Sequence, residues 1–213
     1  MAAHFWPLYG LRITTPRLEL RVPDLELLDA LAAVAAEGVH DPADMPFSLP
    51  WTDGGPEARG RGTFQHVLGT VAQWRPEDWT LSLAVLSDGQ VVGRQDLSAR
   101  DFAVTREATS GSWLGTAHQG NGIGTEMRAA LAHFAFEGLD ARWMTSAAMT
   151  DNRRSLGVSR RIGYRPDGLT TACVRGEARI LQRLRLDRAG WEACRSVPVE
   201  VFGLEPCRAL FGL

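Results

Sequence analysis

The chain has 213 residues, 45% of them hydrophobic and 23% charged, with a formal net charge of −2. At roughly 100–200 residues per domain this bounds it to one domain with trimmings, able to bury a core and too apolar for a disordered chain. There is no global basic field to hold nucleic acid, and all 23 basic residues are arginine, which excludes a Schiff-base lysine and a phosphate-loop lysine.

Residues 11–22 alternate apolar and polar around Leu18, Leu20 and Val22 and predict a first strand. Asp24 then offers an N-cap for a helix carrying Leu25, Leu28, Leu31, Ala32 and Ala35 at helical spacing. Residues 38–63 are rich in proline and glycine and predict a long irregular segment of the kind that forms lids and binding loops. A short helix is predicted over 64–74. A hairpin follows, with Thr80–Leu86 and Gln90–Leu97 flanking Ser87-Asp88-Gly89. A strand is predicted over 108–115, a helix from Gly122 to about Glu137 with Gly138 as its C′ residue, and a strand over 142–149. A helix over 153–162 stopped by Gly163 and strands over 169–174 and 178–186 complete the pattern. This is an α+β arrangement, a mainly antiparallel sheet with helices packed on it.

The three cysteines, Cys173, Cys194 and Cys207, form no CxxC pair, so neither a thiolate metal site nor a disulfide framework is expected; metal ligands are expected to be none. The opening residues MAAHFWPLYG show no charged n-region or apolar h-region, and no run of about 18 apolar residues is available to span a membrane. A reducing cytoplasm is the expected location.

The chemistry concentrates in Trp113-Leu114-Gly115-Thr116-Ala117-His118-Gln119-Gly120-Asn121-Gly122-Ile123-Gly124-Thr125, where a strand runs into a glycine-rich turn that opens a helix. Unpaired N–H groups and the positive end of a helix favour an anion there, and glycine lets backbone approach it. A pyrophosphate suits such a site. The spacing of Gly120, Gly122 and Gly124 is wrong for a dinucleotide fingerprint, and the lysine of a phosphate-binding loop is absent.

Gln119, Gly122 and Gly124 match the [RQ]-x-x-G-x-[GA] loop of the GCN5-related N-acetyltransferase (GNAT) superfamily, and here the sequence resembles that family. Asn152-Arg153-Arg154-Ser155, Val158 and Ile162-Gly163-Tyr164 look like the N-x-x-S-x-x-V…LGF helix of the branch that acetylates ribosomal-protein N-termini. Thr15-Pro16-Arg17-Leu18-Glu19-Leu20-Arg21 resembles that branch's first strand. The segment His40–Phe47 and the tail Gly203–Cys207 are similar to a mycobacterial succinyltransferase-like subgroup.

The resemblance implies a GNAT fold whose central sheet splays at an acyl-CoA cleft, with acetyl-CoA or succinyl-CoA as the acyl donor. Trp113, Leu114 and Gly115 would pair with the pantetheine, and a main-chain N–H there would polarise the thioester carbonyl. The amides of Gln119, Gly120, Asn121, Gly122, Ile123, Gly124 and Thr125 would hold the pyrophosphate. Asn152 would bond the pantetheine arm, and it reads equally as a plain N-cap. Ser155 would lie near the CoA sulfur and protonate the leaving thiolate, or simply satisfy local backbone. The tyrosine that many relatives use stands seven residues after the Asn, where this chain has Ser159.

A protonated amine with pKa ~10 must lose a proton before attack, yet Ala172-Cys173-Val174 offers no carboxylate where some relatives carry one. Asp96, Asp101 and Glu107 are the nearby base candidates, Asp96 foremost, with a water chain as the other route. Arg160 is placed toward the CoA 3′-phosphate from a cluster with Arg153, Arg154 and Arg161. His40, Asp41, Met45, Phe47 and Trp51 would cover the acceptor cleft.

Residues 1–190 thus read as one acyltransferase domain. Residues 191–213 read as an apolar extension packing on that core or on a second subunit, which leaves a homo-oligomer open. The function implied is acyl transfer from CoA to a primary amine (a protein N-terminus, a lysine or a small molecule), with neither nucleic acid nor membrane as partner. The alternative is a CoA-binding sensor of the same fold that no longer turns over.

Overall fold

The computed structural model describes residues 4–213. Its elements are β1 (Arg12–Thr14), β2 (Leu18–Arg21), α1 (Leu25–Glu37), α2 (Pro56–Ala72), β3 (Asp78–Ser87), β4 (Gln90–Arg100), α3 (Phe102–Thr105) and β5 (Glu107–Leu114). They continue with α4 (Ile123–His133), β6 (Trp143–Met149), α5 (Arg153–Arg161), β7 (Arg165–Val174), β8 (Glu177–Asp187), α6 (Arg188–Cys194) and β9 (Glu200–Phe202). Among the described residues one sheet runs in the order β7-β8-β6-β5-β4-β3-β2-β1-β9. Its pairs are antiparallel except β5 with β6, which are parallel. The architecture is the α+β one that the element pattern implies.

Local chemistry explains the element ends. The Asp24 carboxylate accepts the Leu27 N–H at 3.0 Å and starts α1, whose Leu28, Leu31, Ala32 and Ala35 are buried. Asp88 and Gly89 both take left-handed φ, 50° and 76°, as a two-residue hairpin between twisted strands requires.

Several predicted boundaries move: β4 runs on to Arg100, β7 begins at Arg165, and α3, α6 and β9 add to the predicted pattern, while three further changes have a clear local cause. The single strand over 11–22 is two strands, β1 and β2, folded on each other. Thr15 donates its N–H to the Leu18 carbonyl at 2.9 Å and accepts the Leu18 N–H on its hydroxyl at 3.0 Å, with Pro16 at the turn. The helix predicted over 64–74 is α2 and begins at Pro56, inside the segment expected to be irregular. Proline at the first helical turn is pre-set for helix, and Gly60 lets α2 lie close against α1, where a Cβ would sit 3.1 Å from the Ala32 carbonyl oxygen. Packing against α1 here outweighs the poor helix propensity of glycine. The helix predicted to run to Glu137 loosens after His133 into a wide turn, in which the Leu139 N–H bonds to the Phe134 carbonyl at 3.0 Å. Gly138 does not take the left-handed conformation of a C′ residue. It is small because Leu204 and Phe134 press on it, 3.1 and 3.2 Å from where a Cβ would stand.

The parallel contact of β5 and β6 covers only Glu107↔Trp143, Ala108↔Met144 and Thr109↔Thr145. β5 nevertheless stays paired with β4 as far as Leu114, and β6 with β8 as far as Met149. The two strands therefore part company toward their C-terminal ends and leave a wedge in the sheet.

The C-terminal segment joins the core. β9 pairs with β1, and Phe211 is fully buried against Trp74, Trp79 and Phe134 at ring separations of 5.4, 4.9 and 6.0 Å. Phe211→Ala should therefore cost about 3–5 kcal/mol in urea unfolding, the usual range for deleting a buried ring. A loss under about 1 kcal/mol, the scale of a surface change, would mean that the tail is only lightly held.

Candidate active site

The wedge between β5 and β6 opens into a cavity of about 1320 Å³. Its walls are Ser110–Leu114 of β5, Ser146–Ala148 of β6, the first turn of α5 and most of residues 39–51. Thr116 and Gln119 also line the cavity, whereas Gly115 and the glycine-rich turn that follows Gln119 lie off the wall. Gly120 and Gly122 have φ of 85° and 80°, conformations that L side chains rarely adopt. α4 begins at Ile123 with no side-chain cap, and the N–H groups of Gly120 to Gly124 have no intramolecular acceptor among the described residues. These free amides at a helix N-terminus form a built anion cradle.

Side chains around the turn hold it in place. Glu126, in the first turn of α4, accepts the Thr15 hydroxyl at 2.6 Å, the Arg17 Nε at 2.6 Å and the Arg17 N–H at 3.3 Å. Arg17 also donates to the Asn121 carbonyl at 3.1 Å. The Gln119 amide donates to the carbonyls of Val39 at 2.8 Å and Leu114 at 3.0 Å, and its backbone N–H donates to the Thr116 carbonyl at 3.3 Å, so Gln119 pins the turn and, against the sequence expectation, has no free N–H for a phosphate. Gly115 is pressed by Val34, 2.6 Å from where a Cβ would stand.

On the opposite wall, Trp113, Trp51, Phe47 and His40 form an aromatic chain, with successive ring separations of 5.7, 5.3 and 5.6 Å. The buried Trp113 indole N–H has no partner. Met45 is buried with Met149, Val174 and Leu181, and Asp41 lines the mouth. This loop crosses to the β7–β8 turn, where Arg175 grips Asp53 through Nε at 3.0 and 3.1 Å and Nη2 at 2.5 Å. The hydrogen bonds from Arg175 hold the Asp53 carboxyl below its usual pKa. The sequence offered no signal for this clasp, because its partners lie 122 positions apart.

Asn152 caps α5, accepting the Ser155 N–H on its side-chain oxygen at 3.0 Å, while its amide N–H₂ stays free beside the cavity. Ser155 lines the cavity and is partly exposed. Ser159, at the position of the missing tyrosine, is buried and donates to the Ser155 carbonyl at 3.0 Å, so it cannot serve the cleft as an acid. Arg153 and Arg154 reach the wall, whereas Arg160 is exposed and does not.

The structure separates Asp96 from the rest of the site. Asp96 accepts the Ser82 hydroxyl at 2.7 Å, pairs with Arg94 at 2.9 Å and lies outside the cavity wall. Being already satisfied, it is no poised base. Asp101 and Glu107 are also off the wall, and Glu107 faces Arg185 at 3.5 Å. Among the described residues no group of three or more His, Cys, Asp or Glu is placed to hold a metal, and no helix is long and apolar enough to cross a membrane.

Sequence reasoning passed over Arg128, Tyr164, Ser110 and Ser146. Ser146 donates to the Ser110 carbonyl at 3.1 Å across the parting strands, and the Ser110 hydroxyl lies 3.1 Å from the Tyr164 hydroxyl. Arg128 is 7% exposed, donates to the Ser159 hydroxyl at 3.0 Å and lies over the Tyr164 ring at 5.6 Å. The available signal was an arginine beside the Met127–Leu131 apolar stripe of α4, a position that burial reaches.

Residues 17–165 match the model of the acetyltransferase (GNAT) domain. The chain belongs to the GNAT acetyltransferase family. Similar solved structures include Mycobacterium smegmatis RimJ in complex with CoA-disulfide, at TM-score 0.70 and 18% identity, covering 95% of each chain. RimL, a ribosomal L7/L12 alpha-N-protein acetyltransferase in complex with coenzyme A, aligns at TM-score 0.62 and 20% identity over 81% of this chain and 95% of that one. A GCN5-related N-acetyltransferase from Brucella melitensis aligns at TM-score 0.66 and 22% identity, over 86% of this chain and 81% of that one. At these identities the likeness is one of fold.

In this GNAT domain, Glu126 ties the first hairpin to the pyrophosphate-type turn. Glu126→Gln should cost about 1–3 kcal/mol in thermal unfolding, since it weakens several hydrogen bonds to a charged, buried acceptor. It should also weaken CoA binding in calorimetry. Unchanged CoA affinity would show that the turn keeps its shape without the clamp.

Proposed function

We propose that this chain transfers an acyl group from acyl-CoA to a primary amine by direct attack on the thioester. The observation that carries this reading is the wedge itself, walled by an aromatic, partly acidic loop and followed in the chain, after β5, by a turn with free amides at a helix N-terminus. The phosphates would lie on the amides of Gly120–Gly124; Thr125, also expected there, already gives its N–H to the Gly122 carbonyl at 3.1 Å. The amide of Asn152 and the open edge of β5 near Trp113, Leu114 and Gly115 would hold the pantetheine. A β5 main-chain N–H would take the developing oxyanion.

The neutral amine would approach beneath His40, Asp41, Met45, Phe47 and Trp51. Its lone pair forms the C–N bond and the C–S bond breaks toward sulfur. Ser155 then supplies the proton that makes CoA a free thiol, and solvent restores the hydroxyl. No carboxylate among the wall residues is held as a base by a partner, which favours water as the route for the amine proton. The cytoplasm is the proposed setting, and the free cysteines are consistent with it.

Acetyl is the favoured acyl group and succinyl the competing one. A protein N-terminus is the favoured acceptor, supported by fold neighbours named as ribosomal-protein acetyltransferases. Likeness to a succinyltransferase-like subgroup in residues 40–47 and 203–207 keeps succinyl-CoA in the panel. The buried, occupied Ser159 favours one second reading, a CoA-binding sensor without turnover.

A thermal-shift series with acetyl-CoA, succinyl-CoA, CoA and NAD tests the cleft. A bound ligand at one hundred times its Kd adds about 2.7 kcal/mol of stability. A shift with acyl-CoA and not NAD is expected, and the absence of any CoA shift would remove the reading. Ser155→Ala should lower kcat for a peptide amine by about 100-fold with little change in acyl-CoA affinity. Turnover equal in wild type and Ser155→Ala would remove Ser155 as the acid, and no turnover of any amine by either would favour the sensor.

A further inference from the structure

Buried charges in this chain are paired wherever a partner can be reached. Glu126 has Arg17, and the shielded Arg94 has Asp96 at 2.9 Å. Arg128, two positions after Glu126 on the same helix, has no carboxylate at ion-pair distance among the described residues. Its guanidinium donates to the Ser159 hydroxyl at 3.0 Å and the Ser155 carbonyl at 3.5 Å, and lies over the Tyr164 ring. Neutral dipoles alone repay little of the cost of taking a cation out of water. Burial accordingly pushes its pKa down, with Tyr164 opposing.

Arg128 is also a wall residue of the cavity. The charged wall residues nearest along the chain to its α5 partners are Arg153 and Arg154, which add to its field. Asp151, at the β6–α5 turn, is already paired with Arg179 at 2.6 Å. The unbalanced charge is thus held against the first two turns of α5.

We propose that Arg128 supplies the positive field that stabilises the CoA sulfur as the C–S bond breaks. This rests on reading the wedge as the acyl-CoA cleft with Ser155 at the sulfur. In the step, the amine nitrogen forms the C–N bond and loses one proton to water. The C–S electron pair goes to sulfur, and a proton reaches sulfur through Ser155. Charge on sulfur rises before that proton arrives, and Arg128 is the buried wall cation with no carboxylate at ion-pair distance among the described residues, whereas Arg153 and Arg154 are exposed to solvent.

The test is the ultraviolet titration of the thiol of CoA bound to the wild type and to Arg128→Met and Arg128→Lys, with melting temperatures and kcat alongside. A free thiol titrates near about 8.5, and the bound thiol should titrate lower in wild type and Arg128→Lys. In Arg128→Met it should rise toward the free value. kcat should then fall about tenfold for each pH unit by which the thiol titration rises, with KM for acyl-CoA little changed. The melting temperature of Arg128→Met should hold or rise, because an unpaired buried charge has gone; a purely structural arginine would instead lower it.

An ordinary thiol pKa in CoA-bound wild type, or an unchanged kcat in Arg128→Met, overturns the proposal. So does a loss of rate confined to carboxylated acyl donors, which would assign the guanidinium to the acyl tail. If Arg128→Met fails to fold, the wild-type and Arg128→Lys titrations decide alone. Failure of wild-type protein to bind CoA at all is a separate result, and it would remove the underlying cleft.

Discussion

The short parallel contact between β5 and β6 is the constraint on which the rest depends. Three residue pairs hold the strands together before each follows its other neighbour. A sheet that parts in this way exposes backbone N–H and C=O groups inside the protein, a state that is costly unless a ligand or water meets them. In the proposed function the wedge would recognise its ligand largely through main chain. Ser146, bridging to the Ser110 carbonyl, marks where pairing gives way to the cavity.

Around the wedge, side chains mainly position backbone. Thr15 and Arg17 spend their hydrogen bonds on Glu126, and Gln119 spends both of its donors on carbonyls. The result is a glycine turn fixed from two sides with its amides left free. The absence of lysine suits this economy, since the planar fork of arginine grips a carboxylate with several donors at once. Arg17 on Glu126 and Arg175 on Asp53 are both of that kind, one beside the glycine turn and the other between the 39–53 loop and the β7–β8 turn.

Much of this was legible before the fold was known. Asp24, Asp88-Gly89, Asn152 and Gly163 act through their own few neighbours, so the sequence announces the caps and turns they make. The glycine turn was legible for the same reason. α2 was not, because its glycines argue against helix and only α1 argues for it. The β1–β2 turn hid inside an unbroken alternation that reads as one strand. Asp96 looked free in the sequence because its partners, Ser82 across the hairpin and Arg94 beside it, depend on strand register and pleat. Arg160 looked like part of a cluster, and helix geometry sent it away from the wall.

By itself the sequence determined the class of fold, the order of the main strands and helices from α1 to β8, the glycine turn and the cap of α5, since these rest on periodic burial and on short-range hydrogen bonds. Tertiary structure decided how far the sheet opens and what clasps the loop over the cleft. It also decided which charges are matched, as with Arg17 and Glu126, 109 positions apart, and with Arg128, which meets no acid among the described residues. Whether a buried charge finds a partner depends on the distance between elements that the chain brings together only when it folds, and no local pattern carries that distance.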